Sequence, residues 1–99
     1  MRIFHIVRPA DWESHGGSLF EAESLATEGF IHCSFAEQLD GVIRRYYGDT
    51  DEIVILEIDP GKLNSKLVVE TSTGDENYPH IYGPINKDAI VGSERRKIS

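Results

Sequence analysis

The chain reads as an α+β fold with a split, largely antiparallel sheet and a few helices. Three observations carry that reading. Runs of branched and aromatic residues recur at strand length, around Ile3–Val7, Phe30–Cys33, Ile53–Ile58, Lys66–Glu70 and Ile90–Ile98. The stretch Leu39, Val42, Ile43, Tyr46, Tyr47 instead repeats at helical spacing. Helices and strands are mixed, and their connections are mostly short.

Taken in order, Ile3 to Val7 is apolar on both parities except at His5, the pattern of a central strand covered on both faces. His5 shares its face with Ile3 and Val7. Pro9 fits a first helical position, and Asp11 and Glu13 suit the helix N-terminus, so a short helix is predicted over 10–14, anchored by Trp12 and ended by Gly16 and Gly17. A further helical turn runs from Ser24, read as its N-cap, to Glu28, with Gly29 just past its end. The strand that follows sends Phe30, His32 and Ser34 one way and Ile31 and Cys33 the other.

Ser34 and Glu37 have the spacing of a capping box for the helix that Gly48 stops, with Arg44 and Arg45 at or outside the edges of its buried stripe. Ile53 to Ile58 reads as a buried strand broken by Pro60-Gly61. Lys66 to Glu70 reads as another, with Leu67 and Val69 on one face and Val68 and Glu70 on the other. A polar loop over 71–77 leads to Tyr78-Pro79-His80-Ile81-Tyr82-Gly83-Pro84, a short rigid segment in which Ile81 points away from His80 and Tyr82. Asn86 is placed to cap a brief turn through Ala89, and a last strand starts at Ile90. Residues 1–99 form one domain on this reading.

Composition narrows the function classes. Hydrophobic content of 39% and charged content of 27% describe a soluble globular chain. No apolar run approaches the ~20 residues of a membrane helix, and Met1–Val7 is too short for a secretory signal, so a cytoplasmic location is expected. Cys33 is the only cysteine, which excludes an internal disulfide and a cysteine-rich zinc site. A formal net charge of −7 opposes non-specific nucleic-acid binding, and Arg95-Arg96-Lys97 reads as a solvated end.

Of the four histidines, His5, His32 and His80 sit among apolar neighbours in strands or rigid segments, while His15 beside Gly16 and Gly17 reads as exposed. Burying several imidazoles costs desolvation unless each finds a partner, so three in a small domain point to a shared polar cleft. No histidine pair has i, i+4 spacing and no HExxH pattern occurs, so no metal site is expected. Cys33 and His32 are adjacent and face opposite ways in a strand, which leaves Cys33 a small core residue rather than an activated nucleophile. The cleft reading uses His5, His32, Ser34, His80 and Tyr82 as donors and rings, with Glu70 or Glu57 as the carboxylate. Neither GxGxxG nor a Walker A sequence is present.

Phe4-His5-Ile6-Val7, Asp11-Trp12, Ser24-Leu25, Glu28 through Ser34, Leu56-Glu57-Ile58-Asp59, and Pro79 through Pro84 together resemble the domain of unknown function 952 (DUF952) family of small bacterial proteins, over nearly the whole chain. That family is similar in fold to the ADP-ribosyltransferase superfamily, which binds NAD in a cleft between two small sheets. The resemblance implies a small ADP-ribosyltransferase-like domain, with NAD as a substrate that is cleaved or whose ADP-ribose is transferred. It places His5 on the first strand against the ligand, and His32-Cys33-Ser34 looks like the His-x-Ser pattern of the RNA 2′-phosphotransferase branch. In these terms His32, His5 and Glu70 are the catalytic candidates, and Ser34, His80 and Tyr82 hold the small-molecule ligand. The two later arginines of the phosphotransferase branch have no match, so a nucleic-acid partner is not expected. The alternative is a non-catalytic binding module for a nucleotide or small metabolite. A plain structural or interaction protein ranks third.

Overall fold

The structure is a computed structural model that describes residues 1–98. Its elements run β1 (Ile3–Val7), α1 (Pro9–Glu13), β2 (Leu19–Phe20), α2 (Glu23–Glu28), β3 (Ile31–His32), α3 (Leu39–Tyr47), β4 (Glu52–Ile58), β5 (Lys66–Thr71), β6 (Asn77–Tyr82), β7 (Ile85–Asn86) and β8 (Ile90–Lys97). One sheet has the order β1-β4-β8 and a second the order β3-β6-β5, and β2 pairs with β7 in a short third ladder. Every pairing is antiparallel. A single backbone bridge joins the two larger sheets among the described residues, where Phe4 and Ser34 exchange both hydrogen bonds at 2.8 and 2.7 Å. The mixed, antiparallel and split architecture expected from the sequence is therefore present.

The centre of the first sheet is β4, not β1. β1 is covered on both faces as its pattern requires, but only β4 has strands on both sides. The physical reason is the longer branched run Ile53-Val54-Ile55-Leu56, fully inaccessible or nearly so. Val54, Leu56 and Ile58 face the larger core with Ile3, Val7, Phe20, Ile31, Ile81 and Ile85. Ile53 and Ile55 face a smaller one with Ile6 and Ile43, where Leu39, Val42 and Tyr47 of α3 pack. Each such aliphatic side chain stabilises the fold by about 1.5–3 kcal/mol relative to exposure.

Local chemistry departs from the sequence expectation at several caps. Ala22 is the N-cap of α2, and the Ser24 hydroxyl instead donates to the Phe30 carbonyl at 2.8 Å, tying the helix to the next strand. Gly29 does close α2 in the left-handed region, at φ 90°. Ser34 does not cap the following helix: Phe35, one residue on, is the N-cap of the turn that opens it, and the Ser34 peptide groups bond to Phe4. Helical structure begins later with a 3₁₀ turn over Ala36–Gln38, where Gln38 Oε1 accepts from the Phe35 N–H at 2.9 Å. The β3 ladder shrinks to Ile31–His32, and the rigid segment around His80 becomes the middle strand of its sheet.

Pro79 fits inside that middle strand because a strand residue directs its N–H and C=O to the same side. That side faces β3, where the Pro79 C=O accepts from the Cys33 N–H; the return bond to the Cys33 carbonyl is the one proline cannot make, and the β3 ladder ends there while the β5 side is untouched. Asn86 does not cap with its side chain. It accepts from the Asn64 N–H at 2.9 Å and donates to the Lys62 carbonyl at 2.8 Å and to Asp88, holding the β4–β5 connection against the turn before β8. Arg95 is exposed, as expected of a solvated end, but β8 also pairs it with Glu13 at 2.6 Å and Glu52 at 2.9 Å. Among the described residues no helix is long and apolar enough to cross a membrane.

Candidate functional site

Beyond the Phe4–Ser34 contact the two sheets diverge, and a cleft of about 940 Å³ opens between β1, α1, α2, the end of β3 and α3. Strand alternation fixes what β1 offers there. Phe4 directs both peptide groups to Ser34, so those of Ile6, two residues on, turn the same way and face the cleft with no strand partner.

His5 is 7% exposed and packs against Phe20 at a ring separation of 5.6 Å. Its Nδ1–H donates to the His32 carbonyl at 2.6 Å. Burial pushes its pKa down to about 4; the hydrogen bond to the His32 carbonyl offsets part of that fall, and the nearby His32 ring adds a smaller lowering. The ring is therefore neutral at physiological pH, its proton sits on Nδ1, and Nε2 is an acceptor. Among the described residues that nitrogen has no hydrogen-bond partner, it is not sealed from solvent, and its residue lines the cleft.

His32 and Ser34 line the same cleft. The αL turn at Gly29 brings Glu28, the last residue of α2, back to His32, whose Nε2 lies 3.2 Å from both carboxylate oxygens. Both side chains are about half exposed. Ser34 is buried at the sheet junction.

Glu70, His80 and Tyr82 form a second cluster that does not line the cleft. His80 is 3% exposed beneath the Phe30 ring, stacked at 4.2 Å. Its Nδ1–H donates to Glu70 Oε2 at 2.7 Å, and the Tyr82 hydroxyl donates to the same oxygen. These bonds, Tyr82 first and His80 second, hold the Glu70 carboxyl below its ordinary range, while the carboxylate pushes the Tyr82 hydroxyl up. His80 Nε2 is buried without a partner. The two groups of residues meet at His32, whose ring stands 5.3 Å from that of His80, nearly perpendicular to it. Ile31 and Ile81 are fully buried behind them, as strand parity demands.

The sequence candidates thus separate into His5, His32 and Ser34 in the cleft and Glu70, His80 and Tyr82 beside it, behind Phe30. Glu57 is in neither group and pairs with Arg2 at 3.4 Å. Cys33 is buried, which raises its thiol pKa and keeps it protonated. His15 is not simply exposed: its ring packs 4.7 Å from Phe20, and it lines the cleft. Sequence reasoning missed Glu28, Arg8, Tyr46 and Tyr47. Only Glu28 carried a local signal, four residues from His32 with a helix-closing glycine between them. Among the described residues, no group of three or more His, Cys, Asp or Glu is placed to hold a metal ion.

Protein CC0527 from Caulobacter crescentus shares this fold. Its crystal structure superposes with a TM-score of 0.86 at 25% identity, covering 96% of this chain and 85% of that one. The crystal structure of a double mutant of that protein, carrying two introduced methionines, gives the same TM-score and coverage at 24% identity. Its solution NMR structure gives 0.79 at 25% identity, covering 94% and 82%. No curated protein matches the chain. The model of the family described as protein of unknown function (DUF952) matches residues 6–93, nearly the full length over which the strands, the cleft and both histidine clusters are built, and the chain belongs to that family.

Proposed function

We propose that the cleft binds NAD or a related ADP-ribosyl ligand by its nicotinamide–ribose end, in the cytoplasm and without a nucleic-acid partner. The observation that carries this reading is the pairing of His5 Nε2 with the open peptide edge of Ile6 in one cleft. A free strand edge offers one N–H and one C=O side by side, the complement of a carboxamide, and a neutral imidazole acceptor suits a ribose hydroxyl. The cleft volume is that of a small-molecule site.

If the bound ligand is cleaved, the C1′–N bond breaks with its electron pair leaving on nicotinamide, and positive charge develops on the ribose ring. We assign the stabilising carboxylate to Glu28, which is in the cleft beside His32, rather than to Glu70, which is committed to His80 and Tyr82. An attacking water adds to C1′ and gives its proton to Glu28. The second reading, a non-catalytic module for a nucleotide or small metabolite, is favoured by that same commitment of Glu70.

Calorimetric titration with NAD and with ADP-ribose at two salt concentrations, followed by chromatography for free nicotinamide, tests both. The expected result is NAD binding with modest salt dependence. Binding without nicotinamide release selects the non-catalytic module, and silence from both ligands overturns the ADP-ribosyl reading.

A further inference from the structure

The character of the cleft wall specifies the kind of ligand group it admits, an inference that rests on the cleft being a ligand site. Four carboxylates line it, from Asp11, Glu21, Glu23 and Glu28. The guanidinium that lines it, Arg8, already donates to Thr50 Oγ1 at 2.8 Å and lies over the Tyr47 ring at 5.3 Å. Arg45, outside the lining, is hydrogen-bonded to Tyr46 and Tyr78.

An acidic wall by itself says little about a ligand. The independent observation is His5, which is more than nine-tenths buried. Because its Nδ1 proton is fixed on the His32 carbonyl, its unpartnered Nε2 only accepts. An acceptor nitrogen and four carboxylates repel the oxygens of a phosphate and complement N–H or O–H donors on a positively charged molecule. The rings of Tyr46 and Tyr47 belong to the same lining, and each already has a guanidinium over one face, Arg45 at 5.9 Å and Arg8 at 5.3 Å, which shows the wall favouring cations on aromatic rings.

We propose that the cleft selects a small organic cation whose charge lies on or beside a planar ring and whose edge carries hydrogen-bond donors, and that it excludes phosphorylated groups from its interior. For NAD this places the pyridinium and its ribose inside and the pyrophosphate outside the mouth.

Calorimetry on the full chain tests this with four probes: ring-N-methylated nicotinamide, a cation; nicotinamide, which keeps the ring and carboxamide without the charge; choline, a cation without a pyridine ring; and ADP-ribose, an anion without the pyridinium. The methylated cation is expected to bind about tenfold or more tighter than nicotinamide and to weaken as salt is raised. The double variant Glu21→Gln/Glu23→Gln changes two exposed residues. It should narrow that gap with an unchanged melting temperature. Equal affinity for the two nicotinamides, or no binding by any probe, overturns the proposal. ADP-ribose binding with both cations silent overturns it too but keeps the ADP-ribosyl reading. Choline binding with methylated nicotinamide silent also overturns it, because the charge would then be read without the planar ring.

Discussion

His5 and His80 are both buried strand histidines, each donating from Nδ1 to an oxygen and each packed on a phenylalanine, yet they are equipped for different work. His5 donates to a backbone carbonyl and leaves Nε2 open to a cleft. His80 donates to a carboxylate and has Nε2 sealed inside the protein. Burial and a hydrogen bond are therefore common to both and do not separate a histidine that opens on a cleft from one that braces a sheet. The destination of the second nitrogen does.

The phenylalanines give the largest test of the contrast. Phe20 is fully buried among His5, Trp12 and His15, so Phe20→Ala should cost about 3–5 kcal/mol and loosen the cleft wall. Phe30 is half-buried over His80, and Phe30→Ala should cost about 1–2 kcal/mol while leaving cleft binding in place. Denaturant titrations of both variants measure the difference. Equal costs would show that the two rings back their histidines in the same way.

The pH dependence of stability separates the clusters next. The folded pKa of His5, about 4, lies below its ordinary value of 6.5, so the neutral ring favours the fold. Between those limits the unfolded chain takes up a proton that the folded chain refuses. Stability present above pH 6.5 is lost as pH falls towards 4, by about 3 kcal/mol. His5→Gln should flatten that window in urea melts run from about pH 7 to 4. A slope unchanged by the substitution would assign it to other groups.

The smallest effect concerns Glu70, whose carboxyl is held below its ordinary 4.5 by Tyr82 and His80. Its contribution is present above that value and fades as pH falls below it, a window more acidic than that of His5. Glu70→Gln should reduce the acid sensitivity below pH 4.5 and leave the affinity for cleft ligands unchanged. A loss of cleft affinity in the folded variant would join the two clusters into one site.

Much of this was legible in the chain. The parity of Phe30 to Ser34 and of His80 to Tyr82 followed from strand geometry alone, and both isoleucines went to the core as that parity requires. The helix-closing role of Gly29 followed from the left-handed freedom of glycine. The branched run of β4 and the apolar stripe of α3 declared their elements because burial selects residues by period. Such properties depend on near neighbours in sequence, which a sequence displays.

What tertiary structure decided were partners distant in the chain. Ser34 looked like a helix cap, but the turn starts one residue later at Phe35, and the peptide groups of Ser34 pair with Phe4 of the first strand to make the junction between the sheets. Glu70 looked available for catalysis until β6 brought His80 and Tyr82 onto its carboxylate. In each case a polar group that several partners could satisfy took the one that packing brought within hydrogen-bond distance, and it is apolar burial across the whole chain that sets that distance.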